Sequence, residues 1–309
     1  MNIVFFGSTE YSVEILKELI AAGCAPLVVT QPDRPKGRGL KVASTEVKAF
    51  ALKHKLEVVT PSKIRDAEFI SFLKARVPDL FVVVSYGKIL PKAVLDIPAI
   101  IPLGIHPSLL PKYRGAAPIN WALINGETRT GVMLFKLTPG IDDGPLVARA
   151  DLAIDREDDF VSLSEKIYAV SRTLIKKTLP LIAARRFPLK EQAACGMTLA
   201  PKIDKQTAQI DWRKDAVQIT NLIRGLIPAP CAWSMFRGKR VKFWKACAVD
   251  ELRTTAEPGE IVVVSRQEMT LKARKGLVSV IALQPEGKNK MSIPAFINGY
   301  HPKQGEKFS

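Results

Sequence analysis

Along the first half of the chain, short apolar runs rich in β-branched residues alternate with stretches whose apolar positions recur at helical spacing. That alternation marks βαβ units and a largely parallel sheet. It predicts strands at residues 2–6, 26–30, 57–60, 80–85 and 101–106. Phe81, Val82, Val83 and Val84 form an apolar run without alternation, as expected of a central strand covered by helices on both faces. A helix is predicted from Pro118, which suits a first helical turn, through Trp121 and Ile124 to a stop at Asn125-Gly126. Beyond it, residues 132–137 and 146–150 read as strands joined by the turn-rich PGIDDGP, and Ser162 with Glu165 predicts a capping box. The helix it opens would carry Leu163, Ile167, Val170 and Leu174 on one side.

Periodicity fades over residues 187–206. A helix at 216–225 follows, and then short strands at 233–236, 240–249, 260–264 and 277–283, separated by tight turns such as Arg237-Gly238-Lys239. The expected fold class is therefore α/β: a Rossmann-like domain with a largely parallel sheet, then a small OB-like β-barrel. A chain of 309 residues is long enough for both. The expected boundaries are 1–189 for the first domain, 190–206 for a linker and 207–309 for the barrel.

Hydrophobic residues at 47% and charged residues at 25% exclude a disordered chain. Lys and Arg number 46 against 30 Asp and Glu, a net charge of +16 that favours a polyanionic partner but leaves RNA, DNA and anionic membranes open. Cys24, Cys195, Cys231 and Cys247 are widely spaced, so neither a zinc site nor a disulfide framework is expected. The start MNIVFFG lacks the basic flank and long apolar run of a signal peptide, and no stretch approaches the roughly 18 apolar residues of a membrane span. A cytoplasmic protein without a membrane partner is expected.

Of the three histidines, His106 stands at the predicted carboxyl end of a parallel strand, where open α/β sheets place ligands and catalysts. A lone histidine is more often structural, but neutral imidazole there could accept a proton from an amine and return it to a leaving nitrogen. His54 and His301 lie in polar stretches and read as solvated groups. The loop at 139–145 holds Asp142 and Asp143. Its Pro, Gly and Asp content is what any turn needs, yet a carboxylate there could also orient the imidazole. A single glycine after the first strand disfavours a dinucleotide fingerprint. The insert at 31–41, with Arg34, Lys36, Arg38 and Lys41 among prolines and glycines, is predicted to be an exposed loop, either a phosphate grip or a solvated basic turn.

Together these residues resemble the methionyl-tRNA formyltransferase family over nearly the whole chain. The stretch HPSLLPKYRGAAP at 106–118 is similar to the signature of folate-dependent formyltransferases. TQPDRPKGRG at 30–39, VSYGKILPKAVL at 84–95, Ile210-Asp211-Trp212, VKFWKA at 241–246 and LQPEGK at 283–288 match the same pattern. The resemblance implies that His106 and Asp142 are catalytic and that Ser108, Leu109, Leu110 and Pro111 belong to the folate site. It implies that the insert with Arg34, Lys36, Arg38 and Lys41 meets the acceptor end of the tRNA, while Arg240, Lys242 and Lys245 of the C-terminal domain hold its phosphate backbone. The implied donor is 10-formyltetrahydrofolate and the implied acceptor is initiator methionyl-tRNA, for translation initiation. No metal is implied, and a monomer is expected.

One position departs from the family pattern. An asparagine normally stands two residues before the histidine, and this chain has Gly104 there. By the resemblance, the asparagine amide would donate to the developing oxyanion, a contribution whose loss can slow a reaction by about 100- to 1000-fold. Glycine predicts that a water or neighbouring donor substitutes in the vacated space, or else that the chain is a weakened, tRNA-binding homologue. An amino-sugar nucleotide formyltransferase is a third reading, which the basic insert and the second domain disfavour.

Overall fold

Strands and helices alternate through the first half of the chain largely where the periodicity places them: β1 (Ile3–Gly7), α1 (Glu10–Ala21), β2 (Leu27–Val29), β3 (Arg34–Lys36), β4 (Lys41–Ala43), α2 (Glu46–Lys53), β5 (Val58–Val59), α3 (Ala67–Ala75), β6 (Leu80–Val84), α4 (Lys92–Leu95) and β7 (Ile101–His106). There follow β8 (Arg114–Gly115), α5 (Pro118–Ile124), β9 (Arg129–Lys136), β10 (Leu146–Ala153), α6 (Phe160–Ala183) and β11 (Leu199–Ala200). The remainder holds α7 (Ala216–Gly225), β12 (Ala232–Phe236), β13 (Lys239–Val249), β14 (Ile261–Val264), β15 (Met269–Lys272), β16 (Leu277–Pro285), β17 (Met291–Ser292) and α8 (Ile293–Tyr300). This computed structural model describes residues 1–36, 41–250 and 254–309. They form two units: 1–116, 129–153 and 165–200 in the first, and 117–128, 154–164 and 201–309 in the second.

In the first unit the main sheet runs β10-β9-β7-β6-β1-β2-β5. The neighbours from β7 to β5 are parallel, and β9 and β10 add an antiparallel edge. The apolar β6 lies at its centre, as its lack of alternation predicts. The basic insert differs from a plain loop, because β3 and β4 pair antiparallel, with Lys36 opposite Lys41. Pro35 lacks an N–H to donate and is tolerated in such a two-stranded edge. Arg38 lies outside the described residues.

The helix expected to open at Ser162 begins earlier. Asp159 Oδ1 accepts the N–H groups of Val161 and Ser162 at 2.9 and 3.0 Å, so Asp159 provides the cap. Ser162 lies inside the helix and donates instead to Asp158 Oδ1 at 2.8 Å. An aspartate satisfies the orphan donors of a first turn as well as a serine does, and here it precedes the serine.

The second unit is built on the antiparallel order β12-β13-β16-β15-β14, with β17 beside β16. Its free edges do not remain open. Ser309 exchanges hydrogen bonds with Met235 on β12, while Gly305, Glu306 and Phe308 bond to Ile261 and Gly259 at β14. The tail thus closes the sheet into the expected small barrel, which removes exposed edges. Phe308 drives this docking: its ring is fully buried and stacks on Phe236 at 4.5 Å, with Phe243 at 5.6 Å. Full burial of such a side chain stabilises by about 1.5–3 kcal/mol. In the same unit α5 and α7 meet where Asn120 Nδ2 donates to the Gly225 carbonyl at 2.7 Å. No helix among the described residues is long and apolar enough to cross a membrane.

Candidate active site

His106 is the last residue of a strand buried along its whole length, and only 5% of its surface is exposed. Its Nε2 lies 2.8 Å from the carbonyl oxygen of Tyr113. A carbonyl can only accept, so this contact places a proton on Nε2 and leaves Nδ1 as the nitrogen available for exchange. Tyr113 reaches this position through a left-handed backbone, φ +60°, at the end of the turn that follows the strand. The turn is closed by Ser108, whose Oγ donates to the Lys112 carbonyl at 2.7 Å. Leu110 is buried against Met133 and Phe135, with Leu109 packed beside them, and Pro111 is half-buried.

On its other side, His106 Nδ1 stands 3.4 Å from Asp142 Oδ2. That same oxygen accepts the Gly115 N–H at 2.8 Å. Asp142 holds a left-handed φ of +48°, a conformation that few non-glycine residues adopt without support. Two residues on, a side chain at Gly144 would collide with the Lys136 carbonyl, so the chain needs a glycine to bring the loop this close to β9. Asp143 is turned away and accepts the Thr138 hydroxyl. The tertiary structure therefore separates two adjacent carboxylates that composition cannot tell apart.

A further residue has no counterpart in the sequence reading. Gln192 Nε2 donates to the carbonyls of Asp142 and Gly144 at 2.8 and 2.9 Å. Its Oε1 accepts from Arg114 Nε and Nη2 at 3.2 and 2.6 Å. It belongs to a stretch without periodicity, so no local pattern marks it.

The chain's similarity to known proteins agrees with this geometry. Residues 1–179 match the family described as Formyl transferase, and residues 202–301 match Formyl transferase, C-terminal domain. A methionyl-tRNA formyltransferase of Thermodesulfovibrio yellowstonii is 41% identical over 98% of this chain and 97% of its own length. The methionyl-tRNA formyltransferase of Geobacter sulfurreducens is 37% identical, over 99% of this chain and 96% of its own length. The chain belongs to the methionyl-tRNA formyltransferase family. The same fold recurs in an N-formyltransferase from Helicobacter canadensis, crystallised with folinic acid and dTDP-3-aminofucose, at a TM-score of 0.69 and 16% identity over 94% of this chain and all 100% of that one.

In this formyltransferase the vacated space expected at Gly104 does not exist. A β-carbon there would lie 2.5 Å from Phe135 Cε1, 2.7 Å from its Cζ and 3.0 Å from Leu137 Cδ2. These three nearest atoms are all side-chain carbons, and the ring of Phe135 also stands edge-on to the His106 imidazole, with centroids 6.4 Å apart at 87°. The place of the first side-chain carbon is thus taken by an aromatic ring, which leaves no room there for a water.

Of the basic residues, Arg34 is exposed on β3, and its Nη2 is 3.4 Å from Gln31 Oε1. Arg240 and Lys242 alternate along β13 with the buried Val241 and Phe243. A register shift between Phe243 and Lys245 lets Lys245 also face outward. Arg240 lies over the Trp233 ring at 4.5 Å. His54 packs against Phe50 at 4.2 Å, and His301 ends α8; both are exposed. Among the described residues, no group of three or more His, Cys, Asp or Glu side chains is placed to hold a metal ion.

Proposed function

We propose that this chain transfers the formyl group of 10-formyltetrahydrofolate to the α-amine of initiator methionyl-tRNA, for translation initiation. The observation that carries this reading is the approach of His106 Nδ1 to Asp142 Oδ2, 3.4 Å apart, in a chain similar from end to end to methionyl-tRNA formyltransferases. The amine nitrogen attacks the formyl carbon, and the carbonyl electrons move onto oxygen. With Nε2–H held by Tyr113, the amine's proton goes to His106 Nδ1, and Asp142 stabilises the imidazolium that forms. Collapse of the tetrahedral intermediate breaks the bond to the folate nitrogen, which takes the proton back.

In this scheme residues 1–189 carry the reacting groups, 190–206 lead on to the second domain while bracing the site through Gln192, and 207–309 grip the tRNA. Ser108, Leu109, Leu110 and Pro111 shape the folate side of the loop after β7. Arg34, Lys36, Arg38 and Lys41 meet the acceptor end, and Arg240, Lys242 and Lys245 neutralise backbone phosphates. The enzyme acts as a cytoplasmic monomer.

The test is a formyl-transfer assay with charged initiator tRNA and 10-formyltetrahydrofolate. Formylated methionyl-tRNA at turnover well above an uncatalysed control is expected. Tight tRNA binding with no transfer would make the chain a binding homologue, and transfer to an amino-sugar nucleotide alone would replace the substrate class.

A further inference from the structure

Gln192 is hydrogen-bonded at both ends of its carboxamide. The amide nitrogen meets two carbonyl oxygens, of Asp142 and Gly144, and the amide oxygen meets the Arg114 guanidinium. Only one orientation of the group satisfies all four contacts, because a carbonyl needs a donor and a guanidinium needs an acceptor. No other neutral side chain of this length offers both. A carboxylate would set an oxygen against two carbonyls, and a cation would oppose Arg114.

These contacts close a ring around the carboxylate of Asp142. Gln192 holds the backbone of Asp142 on one side and the side chain of Arg114 on the other. The next residue after Arg114, Gly115, donates its N–H to Asp142 Oδ2 at 2.8 Å. The segment around Gln192 reinforces both ends. Lys190 exchanges backbone hydrogen bonds with Leu146 at 2.7 and 2.9 Å. Thr198 accepts the Tyr113 N–H on its Oγ1 at 2.8 Å and the Arg114 N–H on its carbonyl at 2.9 Å, and β11 pairs with β8. The stretch expected to be a linker therefore laces together the two loops that hold the imidazole and the carboxylate. Asp142 is in a left-handed conformation, which persists only when its surroundings hold it.

We propose that Gln192 is a positioning residue for formyl transfer, setting the Asp142 carboxylate against His106 Nδ1 by clamping the Asp142 loop to Arg114. The proposal rests on the reading of His106 and Asp142 as the catalytic pair. Gln192 touches neither the imidazole nor the carboxylate, so its effect passes through the placement of Asp142.

The experiment is a double-mutant cycle in the full chain, reading kcat and KM for both substrates. Gln192→Met keeps length and removes every hydrogen bond. Gln192→Glu keeps the contact with Arg114 and opposes the two carbonyls. Each is expected to lower kcat by about 10- to 100-fold, the scale set by misplacing a catalytic group by about an ångström. KM is expected to stay within about twofold of wild type. In an Asp142→Asn background either change should be nearly silent on kcat, because residues acting as one unit do not add. Wild-type kcat in Gln192→Met and Gln192→Glu overturns the proposal. So does an equal fold-loss in both backgrounds, which would mark a purely structural role. Should Asp142→Asn itself turn over normally, the catalytic pair and the positioning role fall together. An impaired Asp142→Asn beside a normal Gln192→Met defeats the positioning role alone.

Discussion

The ring of Phe135 covers the α-carbon of Gly104, its Cε1 standing 2.5 Å from where a β-carbon would be. The two residues are neighbours across the β7–β9 pairing. The backbone of Gly104 is not left-handed, so crowding, and not conformation, selects glycine there. Because Phe135 also stands edge-on to His106, displacing the ring disturbs the wall of the imidazole.

Gly104→Asn is therefore expected to destabilise the fold by about 1–3 kcal/mol through overpacking and to lower formyl transfer. Combining it with Phe135→Val should recover part of that stability, since the smaller side chain vacates the crowded space. Denaturant unfolding of the single and double variants, together with turnover, checks this. A Gly104→Asn protein as stable and active as wild type would show that the ring yields freely.

His106→Ala and Asp142→Ala should each reduce kcat by about 100- to 10,000-fold, as expected for loss of a general acid–base group or its partner. Affinity for tRNA should stay nearly constant, because neither side chain reaches a phosphate in the proposed scheme. The double variant should be little worse than the slower single one. Near-normal turnover in either single variant would reassign the proton carrier.

Binding of tRNA should weaken steeply with salt, in keeping with the net charge of +16. Lys245→Ala should reduce the slope of log affinity against log salt by about 1, the value of one phosphate contact. Arg240→Ala should also weaken packing on Trp233, whose ring it covers. A slope unchanged in Lys245→Ala would place the phosphates on another face.

The barrel's closure should carry a pH signature. The Arg237 guanidinium, bonded to Glu306 at 2.7 Å, holds the Glu306 carboxyl below its ordinary value of 4.5. A depressed folded value means that the pair stabilises above the unfolded pKa and that this contribution is lost as pH falls through the folded one. Glu306→Gln should lower the melting temperature near about pH 7 and make little difference near about pH 2. An equal deficit at both pH values would mean that the charge of Glu306 plays no part. The partial exposure of both side chains keeps the expected effect small.

Periodicity alone determines much of this protein. The apolar run of β6 places it at the sheet centre, the bounds of β7 and α7 coincide with their predicted spans, and His106 falls at a strand end. These features are local, since a strand or helix face is written into neighbouring residues. The elements missed are those with weak local signals. β15 is a four-residue strand buried at every position, and α8 is an apolar helix of only 8 residues, too short to show a clear period. Closure of the barrel depends on Phe308 finding Phe236, a contact that no window of sequence contains.

For the site, local composition offers His106 and a turn with two carboxylates, the family resemblance singles out Asp142, and the tertiary structure brings that carboxylate to the imidazole. Asp142 faces the imidazole because its left-handed backbone and the Gly115 N–H turn it there, while Thr138 draws Asp143 away. Gln192 lies 50 residues from Asp142 and 78 from Arg114 along the chain, within a stretch whose composition says only that it is irregular. Phe135 and Gly104 are each unremarkable alone, one an apolar strand residue and the other a glycine. Their pairing exists only once β9 lies antiparallel to β7, because steric exclusion and hydrogen-bond direction are properties of positions in space and are not carried by residue type.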